Sequence, residues 1–414
     1  MKIRIHRGAR EIGGNCVEVE ADDGSRIVLD VGRPLTALRD EHIPLPEISG
    51  IDAPHESLLG VIISHGHQDH WGLIDQVPEH VPVYIGEATN RILKEASFFS
   101  IGAKLDPAGY LQDREPFRLG PFTITPFLND HSAFDTYSLL IEADGKRLFY
   151  SADLQGHGRK ARLFEKLLRA PPQNVDIMLM EGTALRPNEV PRAGKTERQL
   201  EDEIVETLET APGIVLAMYA AQNMDRLVTW FRACRRAKRF LVVDLYTASI
   251  AKATGNRNIP QHGFRGLLTY VPQAQRIRVR QSGEFERVNA IKQSRIFPEE
   301  LAPRAKELVL TFRASMSGEI ERSGCLDAAT AVWSMWPGYL EQPGTKRLLE
   351  FLRRHDIPLI ELHASGHAYI SDLQRFARAV APKRIVPIHS SAPDRFAEFF
   401  DNVQCCRDGE WWEC

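Results

Sequence analysis

The chain carries 414 residues, 43% of them apolar, at a net charge of −3, which supports a large core and two domains and excludes disordered and collagen-like classes. Its opening, MKIRIHRGAREIGG, lacks the basic and apolar regions of a signal peptide, and no uncharged apolar run reaches the roughly 18 residues of a membrane span. The six cysteines stand at 16, 234, 325, 405, 406 and 414 without CxxC spacing, so they read as reduced thiols of a cytoplasmic protein with no membrane partner.

Residues 1–155 read as short strands and turns: KIRIHRG, NCVEVEA, SRIVLDVG, LLGVIISHG, VPVYIG, FTITPFL, YSLLIEA and KRLFYSAD. Gly13, Gly14 and Asn15 supply a hairpin turn that needs no functional explanation, and Asp23 with Gly24 supplies another. From about residue 160 the texture changes. RKARLFEKLLRA is helical, VDIMLMEGT is a buried strand ending on Glu181, and RQLEDEIVETLETA is an amphipathic helix with an acidic start that suits its dipole. GIVLAMYA, the helix NMDRLVTWFRACRRA and RFLVVDLY then alternate, with KELVLTF and AVWSMWPG as further buried strands, which predicts a parallel sheet with its own helices. The tail returns to IPLIELHASGHA, a helix SDLQRFARAVA, the strand KRIVPIHSS and a helix DRFAEFFDNV. A second domain is therefore expected inside the first, dividing the chain into 1–184, 185–353 and 354–414.

Charge is unevenly spread. From Arg226 to Arg280 there are twelve Lys or Arg and one acid, Asp244. Such an excess fits either a polyanionic partner or a solvated basic face balanced elsewhere. Trp230, Phe231, Phe264 and Tyr270 are interleaved with it and suit core packing better than base stacking. Trp333 and Trp336 read as core or domain-interface residues.

The chemistry concentrates in VIISHGHQDHWGLI. His65 and His67 are two apart in extended chain, so their side chains leave on one side. Asp69 and His70 follow where a helix can begin, and Gly66 and Gly72 let the backbone crowd that point. Neutral imidazole and carboxylate at one strand end are ligands for zinc-like ions. Three further donors close apolar strands: His131 in FLNDHSAF, Asp153 in LFYSADLQ and His389 in RIVPIHSS.

Asp30 in VLDVG, HGHQDH, His131 and Asp153 together resemble the metallo-β-lactamase superfamily. The resemblance implies an α/β fold, an αββα sandwich of two mixed sheets between helices, with two Zn²⁺ ions at the sheet edge and Mn²⁺ as the alternative metal. It implies that His65, His67 and His131 hold one ion, Asp69 and His70 the other, and that Asp153 bridges them while Asp30 braces the ligand loop. Glu181 in MEGTALRP, His367 in HASGHAYISDL and the final His389 resemble the motifs of the β-CASP nucleases, the RNase J group among them. That resemblance covers the chain from GAREIGGNC to RFAEFF and implies an inserted β-CASP domain containing the parallel sheet. In it His389 completes the second metal shell, His367 meets the scissile phosphate or assists proton transfer, and Glu181 orients His367. Ser390 and Ser391 stand where RNase J-like proteins often have Gly-Glu, and the RNase J C-terminal domain is expected to be missing.

Two zinc ions roughly 3.5–4 Å apart can share a hydroxide and clamp the attacking and leaving oxygens of a phosphodiester. Asp69 suits holding that hydroxide. Ser365, Gly366, His367 and Ser390 are the expected substrate-phosphate contacts, Gly366 because it lets backbone N–H groups approach. The sequence thus predicts a zinc-dependent nuclease acting on RNA or single-stranded DNA, with homo-oligomers compatible and exo- or endonuclease action open. The alternative is a small-molecule metallo-hydrolase of the same fold, which needs neither Glu181, SGHA nor a basic insert.

Overall fold

Along Thr136–Ala143, Tyr137, Leu139 and Ile141 turn to one face of a sheet and Leu140 to the other, and both faces are buried. The same holds along Ile177–Glu181, where Ile177 and Leu179 oppose Met178 and Met180. Strands covered on both faces read as continuous apolar runs, and these belong to the middle of a layered domain. The computed structural model describes residues 1–38, 41–51, 55–190 and 193–414. It divides into one unit of Met1–Lys94, Ala103–Ala193 and Gly366–Cys414, and another of Glu95–Gly102 and Gly194–Ser365.

The first unit holds two mixed sheets. One runs, in spatial order, Trp411–Glu413, Lys2–Arg7, Cys16–Glu20, Arg26–Leu29, Leu58–Ile63, Val83–Gly86 and Gly109–Leu111. The other runs Arg384–Ile388, Ile177–Glu181, Lys146–Tyr150, Thr136–Ala143, Phe122–Asn129 and Phe117–Leu119. Ile3, Ile5, Val17, Val19 and Leu29 of the first meet Ile141, Leu148, Ile177 and Val386 of the second between the layers. Helices cover the outer faces: Trp71, Ile74 and Leu93 pack on one, and Phe164, Leu167, Leu373 and Phe376 on the other. This is the αββα sandwich. The strands ending at Leu29, Ile63, Asn129, Tyr150, Glu181 and Ile388 lead into the residues of interest. DRFAEFFDNV, expected as an α-helix, forms only a 3-10 turn over Pro393–Glu398; Phe396 and Phe400 both seek the core at i,i+4 spacing, but the chain is pulled back to bridge Ile385 at Val403.

The second unit is built on one all-parallel sheet ordered Arg295–Ile296, Leu267–Tyr270, Phe240–Asp244, Leu308–Thr311, Val215–Met218, Thr330–Trp333 and Leu359–Glu361. The strand in IPLIELHA thus closes this sheet. Thr196 and Gln199 form a reciprocal capping box that starts the acidic helix Glu197–Thr210. That helix answers much of the basic run. Arg226 is buried against Glu197 at 3.0 Å, and Arg232 and Arg236 pair with Glu201 at 3.1 and 2.9 Å. Arg239 is spent on the carbonyls of Ala211 and Gly213. Trp230, Phe231, Tyr270 and Trp333 are core residues, Phe264 is half-buried beside Phe231, and Trp336 is exposed. Among the described residues no helix is long and apolar enough to cross a membrane.

Candidate metal centre

The donors lie at strand ends of the first unit. Asp30 ends Arg26–Leu29, His65 and His67 follow Leu58–Ile63, and His131, Asp153 and His389 follow Phe122–Asn129, Lys146–Tyr150 and Arg384–Ile388. Asp69 and His70 occupy the short helix Gln68–Trp71. Three strand ends adopt left-handed backbone without glycine: Asp30 at φ 59°, Ala152 at 48° and His389 at 54°. Each costs of order 1–3 kcal/mol and turns a side chain sharply off its strand.

Three donor groups result: His65, His67, His131 and Asp153; Asp69, His70, Asp153 and His389; and Asp153, Glu181, His367 and His389, with the ligand atoms of each within 4.8 Å of one another. Asp153 belongs to all three. Its Oδ2 lies 3.6 Å from His65 Nε2, 3.3 Å from His70 Nε2 and 3.7 Å from His131 Nε2. Its Oδ1 lies 3.8 Å from His389 Nε2, which is 3.1 Å from Asp69 Oδ2. Ligands of a tetrahedral ion with bonds of about 2.0–2.1 Å sit roughly 3.3 Å apart. Among the described residues His65 Nε2, His70 Nε2 and both Asp153 oxygens are buried without a hydrogen bond. Buried polar atoms are otherwise paired, so this donor set fits metal ions.

Three of the imidazoles are held neutral. Burial pushes His65 and His131 well below the ordinary imidazole range and His67 to about 4, leaving lone pairs free to ligate. Burial opposes ionisation of Asp69, but the hydrogen bond with His389 and the His70 charge bring it to about 2. Burial disfavours a charged His70, yet Asp153 and Asp30 on its two ring nitrogens raise it well above its ordinary value.

A second layer fixes the ligands. His70 Nδ1 donates to Asp30 Oδ2 at 2.7 Å. Asp30 also accepts from Ser64 N, Ser64 Oγ and Tyr150 OH at 2.7, 2.8 and 2.7 Å, and Asn15 donates to that phenol at 3.1 Å. Thr183 Oγ1 lies 2.8 Å from His389 Nδ1, a partner that selects the tautomer with Nε2 free. The Gly13–Asn15 turn also serves the site. Asn15 N donates to Asp69 O at 3.0 Å, and a Cβ on Gly13 would stand 2.9 Å from Asp69 Oδ2. A Cβ on Gly32 would come within 1.8 Å of Asp69 O. Thr183, Ser64, Tyr150, Asn15 and Gly32 escape the sequence reading; their only signal there is closeness to a strand end.

His67 and His367 are half-buried, on the open side of the cluster. His367 Nδ1 lies 3.2 Å from Glu181 Oε2 and 3.8 Å from Asp153 Oδ2. Burial opposes its charge, but Glu181 and Asp153 raise it to about 9. Glu181 Oε1 also accepts from Leu154 N at 2.9 Å. Of the expected phosphate contacts, Ser365 and Gly366 are half-buried like His367. Gly366 adjoins Ser132, whose Oγ would lie 3.2 Å from a Cβ there, and Ser365 belongs to the second unit. Ser390 is not brought to the open side: it is fully buried, donating to Gly182 O and accepting from Ala392 N, both at 3.2 Å.

Comparison with known proteins agrees with this geometry. Residues 34–226 match the beta-lactamase superfamily domain, and residues 359–398 match the Zn-dependent metallo-hydrolase RNA specificity domain. An RNase J-like protein of Methanocaldococcus jannaschii is 27% identical over 61% of this chain, and the match spans 59% of that relative. Ribonuclease J of Mycoplasma genitalium is 24% identical over 94% of this chain and 67% of its own length. A protein of unknown function from Enterococcus faecalis V583 shares the fold over 99% of both chains, with a TM-score of 0.79 at 20% identity. The chain is thus similar to the metallo-β-lactamase superfamily and, within it, to RNase J-like proteins.

Proposed function

We propose that the protein is a metal-dependent nuclease that hydrolyses phosphodiester bonds in single-stranded RNA, with two Zn²⁺ ions as its cofactors. His65, His67 and His131 would hold one ion, Asp69, His70 and His389 the other, and Asp153 both. The ions would supply Lewis-acid charge to the phosphate and acidify water to a pKa of roughly 7.

The observation that carries this reading is the placement of His367 on the open side of the cluster, its Nδ1 3.2 Å from Glu181 Oε2. Metal ligation alone does not require that pair. A phosphodiester does, because negative charge grows on its oxygens and on its leaving group. His367 donates a hydrogen bond to a phosphate oxygen or a proton to the departing oxygen, and Glu181 holds the imidazolium in place. Asp69, kept ionised, orients the attacking water and accepts its proton. Both His367 and His389 lie within the residues that match the RNA specificity domain.

The test incubates metal-loaded protein with end-labelled single-stranded RNA bearing 5′-monophosphate or 5′-hydroxyl, with and without chelator, beside an Asp69→Ala, His70→Ala variant. Chelator-sensitive cleavage lost in the variant is expected. Mononucleotide release marks a 5′-exonuclease and internal fragments an endonuclease. No cleavage of RNA by the metal-loaded protein overturns the proposal and directs attention to thioester, lactone and cyclic-nucleotide substrates.

A further inference from the structure

The basic run divides in two. Arg226, Arg232, Arg236 and Arg239 are consumed by carboxylates and carbonyls of the second unit. The helix Gln273–Ser282, sequence QAQRIRVRQS, is different: it carries three arginines and no acid. Arg276 and Arg280 are four apart on an exposed face, where like charges destabilise a helix. Arg280 has no ion pair among the described residues, and Arg276 reaches only Glu319, at 3.5 Å. That carboxylate already accepts from Gln273 N and Tyr270 OH.

The edge strand Arg295–Ile296 pairs with Leu267–Tyr270, the strand that leads into this helix. The Arg295 guanidinium sits 4.5 Å from the centroid of the Phe297 ring, and that residue is 45% exposed. Arg295 Nε has no hydrogen-bond partner among the described residues. Tyr270 pairs with Ile296 in the sheet and donates at 2.9 Å to Glu319, the carboxylate that Arg276 reaches, so Arg276 and Arg295 meet at one edge of the sheet. Three arginines set against Glu319 and Glu300, whose carboxylate accepts from Phe297 N at 2.9 Å, leave cationic charge next to an exposed aromatic ring, which suits the alternation of phosphate and base along a single strand.

We infer that Arg276, Arg280, Arg295 and Phe297 form a surface of the second unit that binds single-stranded RNA, the arginines on phosphates and Phe297 under a base. The choice of RNA rests on the proposed function. An acid-poor protein partner is disfavoured because it would leave Arg280 and Arg295 desolvated without a counter-charge.

The experiment measures fluorescence anisotropy of a labelled single-stranded RNA with the full chain carrying Asp69→Ala, across a salt series. Arg276→Ala with Arg295→Ala should flatten the slope of log affinity against log salt by about 1.4, two phosphate contacts at roughly 0.7 each. Phe297→Ala should weaken binding roughly 5- to 100-fold with the slope kept. Phe297→Tyr and the double Lys variant should restore affinity and slope, which a merely misfolded protein would not do. Unchanged affinity and slope in both alanine variants overturn the inference, as does a dimer in light scattering that these substitutions dissociate. Wild-type cleavage is read separately. RNA cleavage with unaltered binding removes only the surface; surface-dependent binding without cleavage removes only the nuclease.

Discussion

Asp153 in the first unit and Arg226 in the second are equally sealed from water, each 1% exposed, and they are treated in opposite ways. Every nitrogen of Arg226 is engaged: Glu197 Oε1 at 3.2 and 3.0 Å, Ser334 Oγ at 2.9 Å and Ala364 O at 3.0 Å. Asp153 accepts no hydrogen bond among the described residues, while five histidine nitrogens face it at 3.3–3.8 Å. A buried ion with complete partners is part of the scaffold. One faced by histidine nitrogens at ligand spacing, without a hydrogen bond of its own, is a place prepared for a cation that must come from outside.

The comparison breaks most visibly if Asp153 is removed. Asp153→Ala should strip metal from both halves of the site. It should reduce hydrolysis well beyond the roughly 100-fold expected of an outer partner. Elemental analysis and cleavage rates check this, and chelator should lower the melting temperature of wild type but not of the variant. Arg226→Met should do the converse. It leaves Glu197 buried and unpaired, so chemical denaturation should show a loss of about 3–5 kcal/mol, with metal content per folded chain unchanged. Metal retained by the first variant, or lost by the second, would falsify the distinction.

Glu181 stands between the two cases, since it pairs with a charged residue yet lies at the reacting centre. Glu181→Gln keeps the shape and the hydrogen bond from Leu154 N but removes the charge that holds His367 protonated. The expected loss in kcat is about 10²–10³-fold, the scale of one general acid, with metal stoichiometry kept. A variant that instead loses metal would place Glu181 among the ligands, as its membership of the third donor group allows.

These cases also show which parts of the molecule are legible in the sequence. Histidines and aspartates that end apolar strands are visible because few other roles suit them, and a sheet brings its strand ends together. Hence His65 through His70, Asp153 and His389 could be read before the fold was known. Net charge along a segment cannot be read that way. The meaning of Arg226 and Arg236 depends on Glu197 and Glu201, carried by a separate helix. Thr183, Ser64 and Tyr150 are ordinary residues whose roles come from tertiary neighbours. Ser390 looked like a phosphate contact because it adjoins a ligand, but the left-handed backbone at His389 turns the chain inward there.

Asp135 gives the subtlest contrast with Asp153, because burial raises both carboxyls and only Asp153 has histidines that reverse the shift. Asp135 follows the His131 loop and caps the helix Glu87–Phe99, accepting from Ala88 N at 3.0 Å and from Thr89 Oγ1. Thr89 in turn packs where a Cβ on Gly66, between His65 and His67, would stand 3.4 Å away. Burial pushes Asp135 up to about 6 against the hydrogen bonds from Thr89 and Ala88, whereas histidines hold Asp153 well below the ordinary carboxylate range. A raised acid binds its proton more tightly when folded. Its contribution is therefore full below about pH 4 and lost as pH rises through 6, a swing of up to roughly 3 kcal/mol for about two pH units. Asp135→Asn retains an acceptor for Ala88 N and removes the titration. Urea unfolding at pH 4.5 and 7 should show wild type losing stability relative to the variant as pH rises through that window, with little further divergence above it. Parallel pH profiles would mean that the two capping donors already hold Asp135 at its ordinary pKa, and that the cap and the Gly66 contact stabilise the loop without any titration.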